Sequence, residues 1–194
     1  MKLSVGICSA RDWKAGFGLS LAVMLVYTSK RDLVERIGIS AEQQCSQLAE
    51  GREKVVDDAL ANGSTHLLFL DDDTTFPPYA LEMLQRWERS VVGINLHIKG
   101  DDPKGTLHPL DPRQELIEGA LEEVRGTTLS MCLIDLEAVR KLKRPLFRMK
   151  PDMGEDMYFF SKLRAAGTKV YVDHQLSMQC GHIGERVYSF TATP

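Results

Sequence analysis

The stretch HLLFLDDDTTFPP, residues 66–78, places an apolar run directly before three aspartates. His66 to Leu70 is a short and almost continuous apolar segment, which is typical of a strand buried on both faces of a sheet. Three adjacent carboxylates repel one another, so their position indicates that they meet a positive charge. Asp71 and Asp73 are two residues apart and could reach one divalent cation, although aspartates are also common in solvated turns.

Strands and helices alternate on both sides of this stretch. Such alternation predicts an α/β sheet with helices on both faces, in which ligands bind outside the carboxyl ends of the strands. The acidic triplet falls at an edge of that kind. The predicted strands are residues 2–8, 66–70, 90–96 and 169–172, and the predicted helices are 17–28 (a helix, or a helix followed by a strand), 43–62, 79–89, 136–142 and 156–166.

Length and composition predict an ordinary globular protein. The 194 residues are enough for one domain with a full core, so a single domain over residues 1–194 is expected. The chain is 43% hydrophobic and 26% charged, and its net charge of -3 gives no support for a surface that coats nucleic acid. The four cysteines form no CxxC pair and are predicted to be reduced core thiols. No signal peptide or membrane-length apolar run is visible, so a cytoplasmic protein is expected.

Two later motifs also carry polar groups suited to chemistry. In GEDMYFFSKLRAAG, residues 154–167, Glu155 and Asp156 open an amphipathic helix. Acidic residues in a first turn are favoured by the helix dipole, but a carboxylate facing a sheet edge is also well placed as a general base. In CGHIG, residues 180–184, His182 lies between glycines that allow close approach of a ligand. A lone histidine is more often structural than a ligand.

Taken in order, these motifs resemble the GT-A fold of glycosyltransferases, in particular the broad inverting family 2. LFLDDDTTFPP resembles the DxD motif of that fold, GEDMYFFSKLRAAG its ED helix, and CGHIG the late histidine of its metal site. The opening SVGICSARD resembles the nucleotide-binding first loop, and AEGREKVVDDALANGSTH resembles the helix that precedes DxD. The resemblance implies a Rossmann-like mixed sheet flanked by helices on both faces.

The resemblance also implies roles for individual residues. Asp73 and His182 would bind Mn²⁺ or Mg²⁺, and Asp71 would bind the metal or the ribose. Asp156 would deprotonate the acceptor hydroxyl, with Glu155 as its neighbour or substitute. In GTTLSMCLIDLEAVRKL, Thr128 stands where the family often has a second glycine of the donor-sugar pocket. The residues expected to contact the nucleotide-sugar are Cys8, Ser9, Arg11, Arg52, Asp71, Asp72 and Asp73.

The expected function is metal-dependent transfer of a sugar from a nucleotide-diphosphate donor, expected to be a UDP-sugar, to an acceptor hydroxyl. Inversion is expected from the family, although retaining enzymes of this fold share DxD and the late histidine. The acceptor stays open between a glycan, a protein and a hydroxymethylated pyrimidine in DNA, since some small proteins of this fold in bacteriophages modify such bases. The loop of residues 97–113, with Lys99, Lys104, His108 and Arg113, is a candidate for acceptor or lid contacts. A second basic segment could follow the phosphate backbone of DNA; it consists of Lys141, Lys143, Arg144, Arg148 and Lys150.

Two other functions fit parts of the pattern. A sugar-phosphate nucleotidyltransferase also binds a nucleotide and a metal with paired aspartates, but SVGICSARDWKAG lacks the G-x-G-T-R-like run typical of that class. A non-catalytic domain that binds a nucleotide-sugar would keep the fold without turnover. The presence of Glu155 and Asp156 argues against that alternative.

Overall fold

The computed structural model describes residues 1–10, 12–43, 47–100, 104–110 and 121–190. The strands are β1 Lys2–Cys8, β2 Arg36–Glu42, β3 His66–Asp71, β4 Thr74–Thr75, β5 Val91–Gly93, β6 His108–Pro109, β7 Leu121–Gly126, β8 Met131–Asp135, β9 Val170–Asp173, β10 Gly181–Ile183 and β11 Val187–Tyr188. The helices are α1 Ala15–Lys30, α2 Leu48–Ala61, α3 Ala80–Gln85, α4 Leu136–Arg140, α5 Glu155–Ala165 and α6 His174–Ser177.

Among the described residues, eight strands form the central sheet in the order β2-β1-β3-β8-β5-β9-β7-β6. β1 pairs in parallel with β2 and β3, whereas β8 runs antiparallel between β3 and β5. The carboxyl end of β3 therefore meets the amino end of β8, where the Asp71 N–H donates to the Ser130 carbonyl at 3.0 Å. This mixed sheet, flanked by helices, confirms the predicted fold class.

β3 lies at the centre of the core because both of its faces are apolar. Leu67 and Phe69 pack into one cluster with Val55 of α2 and residues of α5, and Leu68 and Leu70 pack into another with α1 and α3. The four side chains from Leu67 to Leu70 are at most 2% exposed. The prediction of a strand buried on both faces is confirmed, and the strand extends one residue further, to Asp71.

A second, smaller sheet completes the edge beside the acidic triplet. Its order is β11-β10-β4, and β10 pairs antiparallel with β4 so that His182 lies opposite Thr74. These strands and β2 were not predicted, and residues 17–28 fall in one continuous helix, α1. The small sheet brings the end of the described chain to the triplet.

The cysteines covered by the structure are as expected for reduced core thiols. Cys8, Cys132 and Cys180 are buried, and burial raises the pKa of the Cys132 and Cys180 thiols. Cys45 lies outside the described residues.

Within the described ranges, no helix combines the length and the apolar character that a membrane crossing requires.

Candidate active site

Arg52 of α2 joins three carboxylates that come from two other elements. Its side chain is 3% exposed, and its Nη2 lies 3.2 Å from Asp71 Oδ1 at the end of β3. Its Nη1 lies 2.8 Å from Glu155 Oε1 and also contacts Asp156 Oδ1, both in the first turn of α5. A buried guanidinium with planar N–H groups can hold several carboxylates at once. The sequence-predicted residues Arg52, Asp71, Glu155 and Asp156 are therefore brought together.

This cluster holds more negative than positive charge. Burial raises the pKa of Asp71, and the neighbouring Asp73 carboxylate raises it as well, which together exceed the lowering effect of Arg52. Desolvation disfavours a charged carboxylate, and a second carboxylate nearby adds repulsion. One guanidinium for three carboxylates leaves a site that favours a further cation.

Asp73 is in contact with two cationic or potentially cationic groups. The Lys99 ammonium donates a hydrogen bond to Asp73 Oδ2, and His182 Nε2 lies 3.4 Å from the same oxygen. Burial by itself raises the pKa of Asp73, but the hydrogen bonds and charges of His182 and Lys99 outweigh burial and lower it. The small sheet sets this geometry, because the Ile183 N–H donates to the Asp73 carbonyl at 2.7 Å.

The ring of His182 is oriented by a backbone carbonyl. Its Nδ1 lies 3.0 Å from the carbonyl oxygen of His97. A carbonyl only accepts hydrogen bonds, so Nδ1 carries a proton, and Nε2 is the ring nitrogen that faces Asp73. An imidazole nitrogen beside a carboxylate oxygen is a donor pair that suits a divalent metal.

The structure assembles a pair of the predicted metal ligands and not the predicted trio. Asp73 and His182 face each other, while the Asp71 carboxylate is engaged by Arg52. In the described part of the chain, no three His, Cys, Asp or Glu side chains are grouped so that they could hold a metal ion. Mg²⁺ and Mn²⁺ commonly complete their shells with water and substrate phosphates, so two protein ligands still fit such a metal.

The loop after β1 is tied to the middle of the triplet. Ser9 Oγ donates to Asp72 Oδ2, and the Lys14 N–H donates to the Asp72 carbonyl at 3.2 Å. Asp72 therefore connects two segments that were predicted to bind the nucleotide. Cys8 is 5% exposed and packs in the apolar core beneath them, and Arg11 lies outside the described residues.

Asp156 lies between the charged cluster and an open cavity. Its Oδ1 contacts Arg52, and its Oδ2 accepts from the Leu129 N–H at 3.2 Å. Asp156 and Glu155 also line a cavity of about 790 Å³, here called the Asp156 cavity. Its other lining residues include Ile98, the segment 105–108, Arg125, Thr127, Thr128, Asp152 and Arg164.

Sequence reasoning missed three cations of this region. Lys99 was noted only as a loop residue, and Arg125 and Arg164 were not singled out. Arg125 lies in a strand of alternating polarity and Arg164 on a charged helix face, where arginines are ordinary. Only the folded structure places Arg125 and Arg164 in a cavity that Asp156 also lines, and Lys99 against Asp73.

The basic run that suggested a nucleic-acid surface is partly neutralised. Arg144 pairs with Glu53 at 2.6 Å and with Asp57, and Lys141 lies 3.9 Å from Glu137. Arg113, from the other basic segment, lies outside the described residues.

The mixed sheet, with acidic residues at the carboxyl end of β3 and an acidic helix start facing them, is the GT-A fold that solved glycosyltransferase structures share with this chain. No protein-family model and no curated protein sequence matches the chain.

Solved structures match the chain over nearly its whole length. A197 from STIV is 25% identical with a TM-score of 0.68, covering 98% of this chain and 91% of that one. GalNAc-T7, in a structure with UDP, GalNAc and Mn²⁺, is 12% identical with a TM-score of 0.64, and the match spans all of this chain but 46% of GalNAc-T7. TarS residues 1–349 from S. aureus are 14% identical with a TM-score of 0.50, covering 89% of this chain and 58% of that one.

Proposed function

We propose that residues 1–194 form one domain that transfers a sugar from a nucleotide-diphosphate donor, a UDP-sugar, to an acceptor hydroxyl. The observation that carries this proposal is the meeting of Asp71, Asp73, Asp156 and His182 at one edge of a GT-A sheet. The structure of GalNAc-T7, which shares the fold, was determined with UDP, GalNAc and Mn²⁺. Its ligands are of the class that this site would take.

Asp73 and His182 are the residues proposed to hold Mn²⁺ or Mg²⁺. Their facing donor atoms, Oδ2 and Nε2, lie 3.4 Å apart. When bound, the metal supplies positive charge that stabilises the leaving diphosphate. Lys99 places a further positive charge at the same carboxylate. Ser9 and Asp72, which link the first loop to the triplet, are proposed to line the nucleotide.

Asp156 is proposed to act as the general base. As the acceptor oxygen forms a bond to the anomeric carbon, the bond from that carbon to the diphosphate breaks, and its electron pair leaves with the diphosphate. The proton of the acceptor hydroxyl passes to the Asp156 carboxylate and then to solvent. Arg52 and the Leu129 N–H fix the orientation of this carboxylate, and each oxygen keeps a lone pair for the proton. Attack from the face opposite the diphosphate gives inversion.

A donor screen tests the proposed function directly. Thermal unfolding would be followed with UDP-, GDP- and CDP-sugars, each with and without Mn²⁺. At a donor concentration 100 times its Kd, binding stabilises the folded state by about 2.7 kcal/mol, which raises Tm by several degrees. The expected result is a shift with UDP-sugars that depends on Mn²⁺ and is lost in Asp73→Asn. A flat response to every nucleotide would contradict the proposal.

His182→Ala is expected to weaken Mn²⁺ binding by about 10-fold or more, since the variant removes the nitrogen that faces Asp73. Calorimetric titration of Mn²⁺ with UDP present measures the change. His66→Ala is the matched control, because His66 lies at the opposite, amino end of β3. Equal Mn²⁺ affinity in the two variants would assign His182 a purely structural role.

A further inference from the structure

The Asp156 cavity lies apart from the residues proposed to hold the metal and the nucleotide, and Thr128, of the predicted donor-sugar pocket, is at its border. Of the charged cluster, it shares only Glu155 and Asp156. Within the described part of the chain, neither Arg52 nor His182 nor any aspartate of the triplet lines it. A ligand in this cavity would therefore approach Asp156 from a different side than the nucleotide. That position suits the acceptor.

Two arginines in the cavity lining are each oriented by a backbone hydrogen bond, and their charges are not paired with a carboxylate of the described residues. Arg125 Nε donates to the Pro109 carbonyl at 2.8 Å, and Arg164 Nη1 donates to the Val124 carbonyl at 3.0 Å. Neither forms an ion pair with another residue of the described ranges. One hydrogen bond to a strand carbonyl orients each guanidinium and leaves its remaining N–H groups available.

Two arginines of the lining are available to bind an anion, although the lining also contains three carboxylates. Glu155 and Asp156 already share Arg52, which leaves Asp152 as the carboxylate of the lining without an ion pair to a described residue. His108, also in the lining, has its pKa lowered by partial burial and then by the charge of Arg125. The groups of the lining without an ion pair to a described residue are therefore two guanidinium groups and one carboxylate, Asp152.

We propose, resting on the glycosyl transfer proposed above, that the Asp156 cavity binds a glycan acceptor whose sugar carries a carboxylate or a phosphate. Arg125 and Arg164 bind the anionic group, and the reacting hydroxyl of the same sugar faces Asp156. Guanidinium groups match carboxylate and phosphate oxygens in charge and geometry. A cavity of about 790 Å³ has the size of a small-ligand site and suits a short glycan segment. In the described part of the chain, the pairing of Arg144 and Lys141 with carboxylates interrupts the basic run that could follow DNA.

Binding to an array of neutral, uronate-containing and phosphorylated glycans, with UDP and Mn²⁺ present, tests this proposal. Wild-type protein is expected to retain glycans that carry a carboxylate or a phosphate. The double variant Arg125→Gln/Arg164→Gln keeps hydrogen-bond donors but loses both charges, and should bind those glycans at least about 10-fold more weakly. Arg125→Lys/Arg164→Lys should restore part of the binding. Arg140→Gln, an exposed arginine of α4, is the control.

The outcomes separate this inference from the proposed function. Retention of neutral glycans alone, or no arginine-dependent retention of anionic glycans, overturns the inference. Arginine-dependent binding of DNA oligonucleotides also overturns the inference. An arginine-dependent preference for UDP-glucuronic acid over UDP-glucose does so as well, because it would place the anionic group on the donor. Calorimetry with UDP should give equal affinities in wild type and the Gln double variant. Wild-type protein that fails to bind UDP would instead contradict the glycosyl transfer itself.

Discussion

Asp156→Asn is expected to lower turnover by roughly 10²- to 10⁴-fold while UDP affinity stays within about 2-fold of wild type. Asparagine keeps the size of the side chain and can still accept from the Leu129 N–H, but it cannot take the proton of the acceptor hydroxyl. Arg52 keeps Asp71 and Glu155 as partners, so the fold should survive. Donor hydrolysis or transfer assays give the rate, and calorimetry gives UDP affinity.

The control for this variant is Asp32→Asn. Asp32 is exposed after α1 and has a φ of 50°, a conformation that asparagine tolerates as well as aspartate does. It should leave rate and affinity unchanged. If UDP affinity and turnover fall together in Asp156→Asn, Asp156 is a donor ligand or a structural residue. If turnover stays at the wild-type rate, the proton is taken elsewhere.

Arg52→Met is expected to lower the free energy of unfolding by about 3–5 kcal/mol near neutral pH, a large fraction of the stability of an ordinary domain. Methionine fills much of the space but leaves Asp71, Glu155 and Asp156 without their shared cation. Urea denaturation measures the loss. Arg144→Met is the matched control, because Arg144 also has two acidic partners but its side chain is 40% exposed, and about 1 kcal/mol or less is expected there.

The loss in Arg52→Met should shrink as pH falls. Asp71 already has a pKa above its ordinary 3.8, and without Arg52 that pKa rises further. A carboxyl group whose pKa is raised by folding binds its proton more tightly in the folded state than in the unfolded state. It therefore stabilises the folded state most below the ordinary pKa, and this stabilisation is lost as pH rises through the pKa of the folded state. The difference between wild type and variant is therefore largest at neutral pH. A loss no greater than that of Arg144→Met, or one independent of pH, would show that the carboxylates do not depend on Arg52.

The parts of the fold that sequence reasoning predicted are those whose signal is local. β3 is apolar at every position from Leu67 to Leu70 because both of its faces are covered, and this pattern is readable without any partner. β10 and β11 have three and two residues and exist only because His182 pairs across from Thr74, more than 100 positions earlier. β2 lies at the sheet edge, where its mixed exposure hides the period of a buried strand. Strands of this kind depend on distant partners.

The same distinction applies to the candidate site. The acidic residues and His182 stand in recognisable motifs, so their types and order pointed to one site before the fold was known. That Asp71 contacts Arg52 while Asp73 contacts Lys99 is decided by side-chain packing. Arg125 and Arg164 belong to no motif, and their shared cavity arises only where β7 and α5 pack together.

Residues 97–99 link the two halves of the site. His97 supplies the carbonyl that orients His182, and Lys99 contacts Asp73, while Ile98 and His108 line the Asp156 cavity. Residues 97–99 thus border the proposed metal pair on one side and the Asp156 cavity on the other. If the arriving donor displaces Lys99, occupancy of one half changes the affinity of the other, and thermodynamic linkage makes that effect mutual. Binding of the donor and binding of the acceptor would then be coupled through residues 97–99, without a subunit or domain movement.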